Sequence, residues 1–281
     1  MKQYDLTLAG LRTVLRTPNE ITVSENLRPF LTQEHTSPDI SIRLAACDTL
    51  PSFPEGGLWH GAEYYHRQGD SLCTFHCEAP GAAAFAVTQL FENGNVEISV
   101  LPNRLSWFAG SEGIFNRIGL ETLLLQRDCL LLHASLIKYA GKALAFAGPS
   151  GVGKSTHAAL WQGLGAELLN GDRAALRPTP EGWSGYGCPY AGTSGIYKND
   201  SAPLAALVVL RQGKENRLRR LTAAEAFRHL YPELSVHRWD KAFVEKATDL
   251  CLRLLSAVPA YLLECRPEAA AALLVKKGLN L

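Results

Sequence analysis

Residues 142–164, KALAFAGPSGVGKSTHAALWQGL, decide how the rest of the chain is read. An apolar run at 143–147 meets a glycine-rich turn, and a segment of helical composition follows at 155–164. Gly148, Pro149, Ser150, Gly151, Val152, Gly153, Lys154, Ser155 and Thr156 fit G-x-x-x-x-G-K-[ST] without a mismatch. Chemistry accounts for each residue type. Glycines let the backbone approach phosphates closely and turn successive N–H groups inward. The helix that begins there adds its positive dipole end and free amides. Lys154 supplies a mobile charge for the β- and γ-phosphates, and Ser155 a hydroxyl for Mg²⁺, which favours hard oxygen ligands. The stretch predicts a nucleoside-triphosphate loop set between a strand and a helix.

Outward from the loop, two side chains become candidates for chemistry. Asp172 follows a short apolar strand at 167–169, in Leu168-Leu169-Asn170-Gly171-Asp172-Arg173, sixteen residues beyond the loop. At a strand end beside the loop, its carboxylate would orient Mg²⁺ or accept a proton from an attacking hydroxyl. The competing reading is a plain turn, since Asn-Gly is a frequent hairpin signal. His133 lies in an apolar run at 130–137, where a hydrogen-bonded core histidine is the commoner outcome and a functional one the alternative. The strand at 203–210 ends in Arg211-Gln212, without the Asp that completes a Mg²⁺ site in motors and GTPases, and no guanine-reading N-K-x-D occurs. A second glycine-punctuated stretch, GCPYAGTSGIYKN at 187–199, carries Thr193, Ser194, Gly195 and Lys198. It reads either as an anion-binding nest for the γ-phosphate or acceptor, or as a surface connection.

Taken together, residues 131–176, LLHASLIKYAGKALAFAGPSGVGKSTHAALWQGLGAELLNGDRAAL, resemble the C-terminal kinase domain of HPr kinase/phosphorylase and its relatives. The shared features are a His followed by a small residue, a strand–turn–strand, a loop fifteen residues after His133, and an acidic motif behind a second short strand. The resemblance implies an α/β (α+β) P-loop domain with the nucleotide-binding core shared by phosphoenolpyruvate carboxykinases. It implies ATP and Mg²⁺ as cofactors, with Asp172 as base and metal contact, His133 near the phosphates, and Lys154 and Ser155 in their usual places. The acceptor it implies is a Ser or Thr hydroxyl of a protein or peptide, a modified-peptide precursor among them. A small-metabolite kinase and a nucleotide-sensing module without catalysis are the alternatives. Two departures stand out. Gly171 occupies the place of the family's first aspartate, and the R-G-[LI]-G-type loop that engages HPr and runs phosphorolysis has no counterpart, so neither is carried over.

The remaining chain is read by pattern. Short alternating or aromatic runs at 4–8, 39–45, 63–67, 72–77, 83–88 and 96–101 predict a β-rich N-terminal region over 1–105, for substrate recognition or assembly. Gly69-Asp70 and Asn93-Gly94-Asn95 supply turns for two hairpins. The kinase-like domain is placed at 106–281, opening with a helix at 111–125 capped by Ser111, with 182–195 as a loop and helices at 223–230, 241–256 and 268–276. Cys73, Cys77 and His76 could suggest zinc, but alternation puts the cysteines on one strand face and the histidine on the other. With 28 Lys+Arg against 27 Asp+Glu, the chain offers no basic face for nucleic acid. Neither a signal-like N-terminus nor an uninterrupted spanning run is present, and the seven cysteines form no dense framework, so a cytoplasmic protein with reduced thiols is expected. Oligomeric state is left open, a homo-oligomer included.

Overall fold

Period-two burial builds the N-terminal strands. The computed structural model describes residues 1–281 except His35, Thr36, Asp70, Ala191 and the side chain of Thr193. They gather into two units, Met1–Arg127 and Asp128–Leu281. The first carries β1 (Lys2–Leu8), β2 (Leu11–Thr17), β3 (Ile40–Ala46), β4 (Leu58–His60), β5 (Glu63–Gln68), β6 (Ser71–Cys77), β7 (Ala84–Leu90) and β8 (Asn95–Val100). They form one sheet in the order β1-β2-β3-β8-β7-β6-β5-β4. The expected hairpins pair as β5 with β6 and β7 with β8, although Asp70 itself lies outside the described residues. β2 went unread because Leu8 pairs Leu11 across Ala9-Gly10, both at positive φ (51° and 71°). An alanine there hides the Asn-Gly signature that such a turn usually shows.

The helix expected at 111–125 is two helices, α1 (Ser111–Ile118) and α2 (Leu120–Gln126). Gly119, at φ 72°, ends the first and opens the second. Ser111 is not the cap, which is Gly110; its Oγ instead lies 3.0 Å from Ser24 Oγ. Both helices belong to the first unit, so the boundary falls after residue 127, where composition had suggested about 105.

His76 is buried and fully engaged. Its Nδ1 lies 2.9 Å from Glu63 Oε1 and its Nε2 2.8 Å from Thr88 Oγ1, while Tyr65 also bonds Glu63. Among the described residues no group of three or more His, Cys, Asp or Glu is poised for a metal.

The second unit starts with a long hairpin, β9 (Leu130–Tyr139) and β10 (Lys142–Ala147), followed by α3 (Lys154–Gln162). Then come β11 (Glu167–Asn170), β12 (Arg173–Thr179), β13 (Gly182–Tyr186), β14 (Ser201–Gln212), β15 (Arg217–Arg220), α4 (Ala223–Leu230), α5 (Lys241–Ala257), β16 (Ala260–Cys265) and α6 (Ala269–Gly278). β13 replaces the first part of the expected loop: Trp183 is buried, and the strand pairs both β12 and β14. The strand order is β10-β9-β12-β13-β14-β16-β15, and β10 also pairs β14 in parallel. The ladder from β10 through β9, β12, β13 and β14 therefore returns to β10. Its core includes Ile137, Leu144, Phe146, Trp161, Val208 and Leu263. Trp161 fixes α3 from beneath, donating from Nε1 to His157 Nε2 at 3.2 Å. Burial holds the His157 pKa down to about 4, so the ring stays neutral and can accept that bond. No helix among the described residues is long and apolar enough to cross a membrane.

Burial alone would raise the Glu63 carboxyl, but the His76 and Tyr65 hydrogen bonds outweigh it and hold the group below its ordinary value. A depressed carboxyl stabilises above its unfolded pKa of about 4.3, and that contribution fades as pH falls through the folded value. Glu63→Gln is expected to lower the urea midpoint at pH 7 while converging with wild type in acid. An equal deficit at both pH values would contradict this account.

Candidate functional site

Hairpin register explains the fifteen-residue spacing. Ala134 pairs Ala147 in the antiparallel β9–β10 ladder, which sets His133 level with Gly148, the first loop residue. β14 runs parallel to β10 with Val209 opposite Ala147, so Leu210–Gln212 emerges at the same end. There Gln212 Nε2 donates to Gly151 O at 3.3 Å. On the other side of β9, Arg173 pairs His133, and the Ala134 amide donates to Asp172 O at 3.0 Å. Loop, histidine and acid thus converge at one sheet end.

The loop itself is a strand–turn–helix. Gly148, Gly151 and Gly153 adopt φ of 148°, 78° and 109°, values that favour glycine, and α3 begins at Lys154. Lys154 Nζ donates to Gly148 O at 2.6 Å and to Pro149 O at 3.3 Å. Burial lowers its pKa, against the opposing pull of the Glu233 and Asp172 carboxylates. Both acids are therefore within electrostatic reach of the ammonium. Ser155 and Thr156 are exposed in the first turn of α3.

His133 stands between two carboxylates. Its Nε2 is 3.5 Å from Asp172 Oδ1 and its Nδ1 3.2 Å from Glu233 Oε2. Arg173 Nε holds Asp172 Oδ2 at 3.4 Å and the same guanidinium bonds Ser235. Glu233 is the most enclosed of the three, 13% exposed against 29% and 30%. It comes from the 3-10 turn Tyr231–Glu233 after α4. A Leu234–Leu132 bridge and the Ser235 amide on Leu131 O at 2.9 Å fasten that turn along β9. Nothing in the sequence signals Glu233, one hundred residues from His133.

Asn170 makes the acid turn. Its buried amide donates to Cys188 O at 2.8 Å and Tyr190 O at 2.7 Å, while its Oδ1 accepts from the Asp172 and Arg173 amides at 2.8 Å each. The second loop is thereby drawn against the acid. A Cβ at Gly171 would come within 2.5 Å of Ser194 Cβ, and one at Gly192 within 2.5 Å of Asp172 Cβ. Gly195, at φ 62°, continues the turn, and Ser194 Oγ accepts from the Ile196 amide at 3.2 Å. Lys198 goes elsewhere: its Nζ pairs Glu167 at 2.8 Å, opposite Lys138 on β9. Gly192 and Ser194 are thus brought to Asp172 and Gly171, the Lys198 charge is not, and the Thr193 side chain lies outside the described residues.

No family model matches this chain, and no curated protein does. Among solved structures, the HPr(Ser) kinase/phosphatase from Coxiella burnetii matches over 53% of this chain and 97% of its own, at 13% identity and a TM-score of 0.32. So low a score carries no weight about activity, and the site is judged on its own geometry.

A cavity of about 570 Å³ opens beside residues 148–152. Arg211 and Gln212 at the end of β14 line it, with Arg228, His229 and Glu233.

Removing the Asn170 amide would take one hydrogen-bond partner from each of the Cys188 and Tyr190 carbonyls and the Asp172 and Arg173 amides. Asn170→Ala is expected to cost on the order of 3 kcal/mol in urea unfolding. Gly171→Asp, which recreates a pair of acids, is expected to destabilise by about 1–3 kcal/mol, because the new side chain must displace Ser194. A neutral melting temperature would mean that residues 192–194 yield freely.

Proposed function

We propose that this chain is an HPr-kinase-like, ATP- and Mg²⁺-dependent phosphotransferase that moves the γ-phosphoryl group onto a hydroxyl, of the Ser/Thr type in a protein or peptide. The convergence of Asp172, His133 and Glu233 on the lysine that closes the glycine loop carries this reading. The P-loop pattern and the sequence resemblance set out above support it.

In this reading the loop amides and the α3 N-terminus hold the phosphates. Lys154 leaves the Gly148 and Pro149 carbonyls to meet the transferred group. Asp172, held by Arg173 and His133, takes the proton from the acceptor O–H as that oxygen bonds to Pγ. The bond between Pγ and the bridging oxygen breaks, and the nucleoside diphosphate leaves with the electron pair. His133 positions Asp172 and links it to Glu233.

The donor set suits Mg²⁺, which is commonly held by one or two carboxylates together with substrate phosphates. Ser155 and Asp172 would hold it, with Glu233 as the second carboxylate that would stand in for the one Gly171 lacks. When bound, the ion offsets negative charge on the phosphate oxygens.

The test is γ-labelled ATP with Mg²⁺, following hydrolysis and transfer to added seryl peptides. Asp172→Asn is expected to lower turnover by about 10²–10⁴-fold, with AMP-PNP affinity measured without Mg²⁺ within about threefold of wild type. Label on a small hydroxyl compound in place of peptide would move the acceptor class. Nucleotide binding without turnover, indifferent to Asp172→Asn, would reduce the chain to a nucleotide sensor.

A further inference from the structure

The cavity beside the loop has a wall that phosphate binding by the loop does not use. That wall carries two guanidinium groups from separate elements, Arg211 from the end of β14 and Arg228 from the last turn of α4, with the His229 imidazole beside Arg228. A cation in a last helical turn also interacts with the helix dipole, which accounts for Arg228 but not for Arg211. Arg211 is partly taken up by Glu264, at 3.1 Å, and nearby Arg219 by Glu225, at 2.9 Å. Arg228 is exposed and forms no ion pair among the described residues. Burial first, then Arg211, Arg228 and Arg219, push the His229 pKa below its ordinary value. Glu233, the one carboxylate on the cavity wall, is already engaged by His133 at 3.2 Å.

Two guanidinium groups on one concave wall, whose lining carboxylate Glu233 is engaged by His133, favour a negatively charged ligand. We propose that Arg228, with Arg211 and His229, forms an anion subsite for a carboxylate or phosphate group carried by the acceptor. This rests on the phosphotransferase reading for the word acceptor, and not for the existence of the subsite. Its place beside residues 148–152 puts the bound anion next to the loop, so that the subsite steers the hydroxyl end of the same molecule toward Asp172. The acceptor is then a hydroxyl compound or peptide segment that is itself negatively charged.

The experiment uses the full chain saturated with AMP-PNP and Mg²⁺, titrated by calorimetry at low ionic strength with inorganic phosphate and, separately, citrate. Wild type is expected to show one saturable anion site. Arg228→Ala should weaken it about tenfold, Arg228→Lys less, and neither should change AMP-PNP affinity. Preference for phosphate over citrate points to a phosphorylated acceptor, and the reverse to a carboxylate. Anion affinity indifferent to Arg228→Ala overturns the proposal. So does a parallel loss of AMP-PNP binding, which would give the wall to the nucleotide. If AMP-PNP fails to bind at all, the phosphotransferase reading falls by itself. The anion titration is then read on the Lys154→Ala protein without nucleotide, where sensitivity to Arg228→Ala still supports the subsite and insensitivity sinks it.

Discussion

The buried amide of Asn170 is the constraint on which the site geometry depends. One side chain ties the start of β12 to the loop that follows β13, with all its hydrogen-bonding groups used. A planar amide is suited to this because it offers donors on one side and an acceptor on the other. The direction of Asp172 follows from it, since the two amides held by Oδ1 belong to Asp172 and Arg173. So does the approach of Gly192 and Ser194, because the carbonyls it binds, on Cys188 and Tyr190, lead straight into them. Asn170 itself is fully buried, so its four hydrogen bonds stand in for the solvent it gives up.

Charge in the site is organised around this frame. His133 alone would separate Asp172 from Glu233 poorly, yet Arg173 and Lys154 add positive groups around the same pair. Two partly buried carboxylates can share so small a space only because the surrounding cations offset their repulsion. The second acid arrives from a turn far along the chain, not from the position beside Asp172. Ser194 occupies the room a side chain at 171 would need.

How much of this was legible in the sequence varies with the range of the interaction. The strand, turn and helix around 148–153 could be read because glycine, apolar and helix-forming residues act locally. That His133 would lie level with the loop at Gly148 follows from spacing, since a hairpin with a two-residue turn at Ala140-Gly141 converts fifteen residues into adjacency, whereas its contact with Asp172 depends on the pairing of β12 with β9. Glu233 and Arg228 could not be anticipated, as their place depends on how α4 packs and on the 3-10 turn behind it. Gly119 and the Ala9-Gly10 turn were missed for a different reason. One residue of positive φ at Gly119 split a helix, and two at Ala9-Gly10 joined a hairpin, with only the glycines to signal either. In the second loop, three glycines spaced through 187–199 looked alike, but only contact partners separate the pair facing the acid turn from the lysine held by Glu167.

The lysine at the start of α3 has a consequence for ligand exchange. Its ammonium is already satisfied by the carbonyls of Gly148 and Pro149. An arriving polyphosphate therefore trades one set of contacts for another, and only the difference between them appears as affinity. The two carbonyls it would release must then be met by solvent or by the rearranged loop itself. Such a trade makes tight capture of any polyphosphate harder and its release easier.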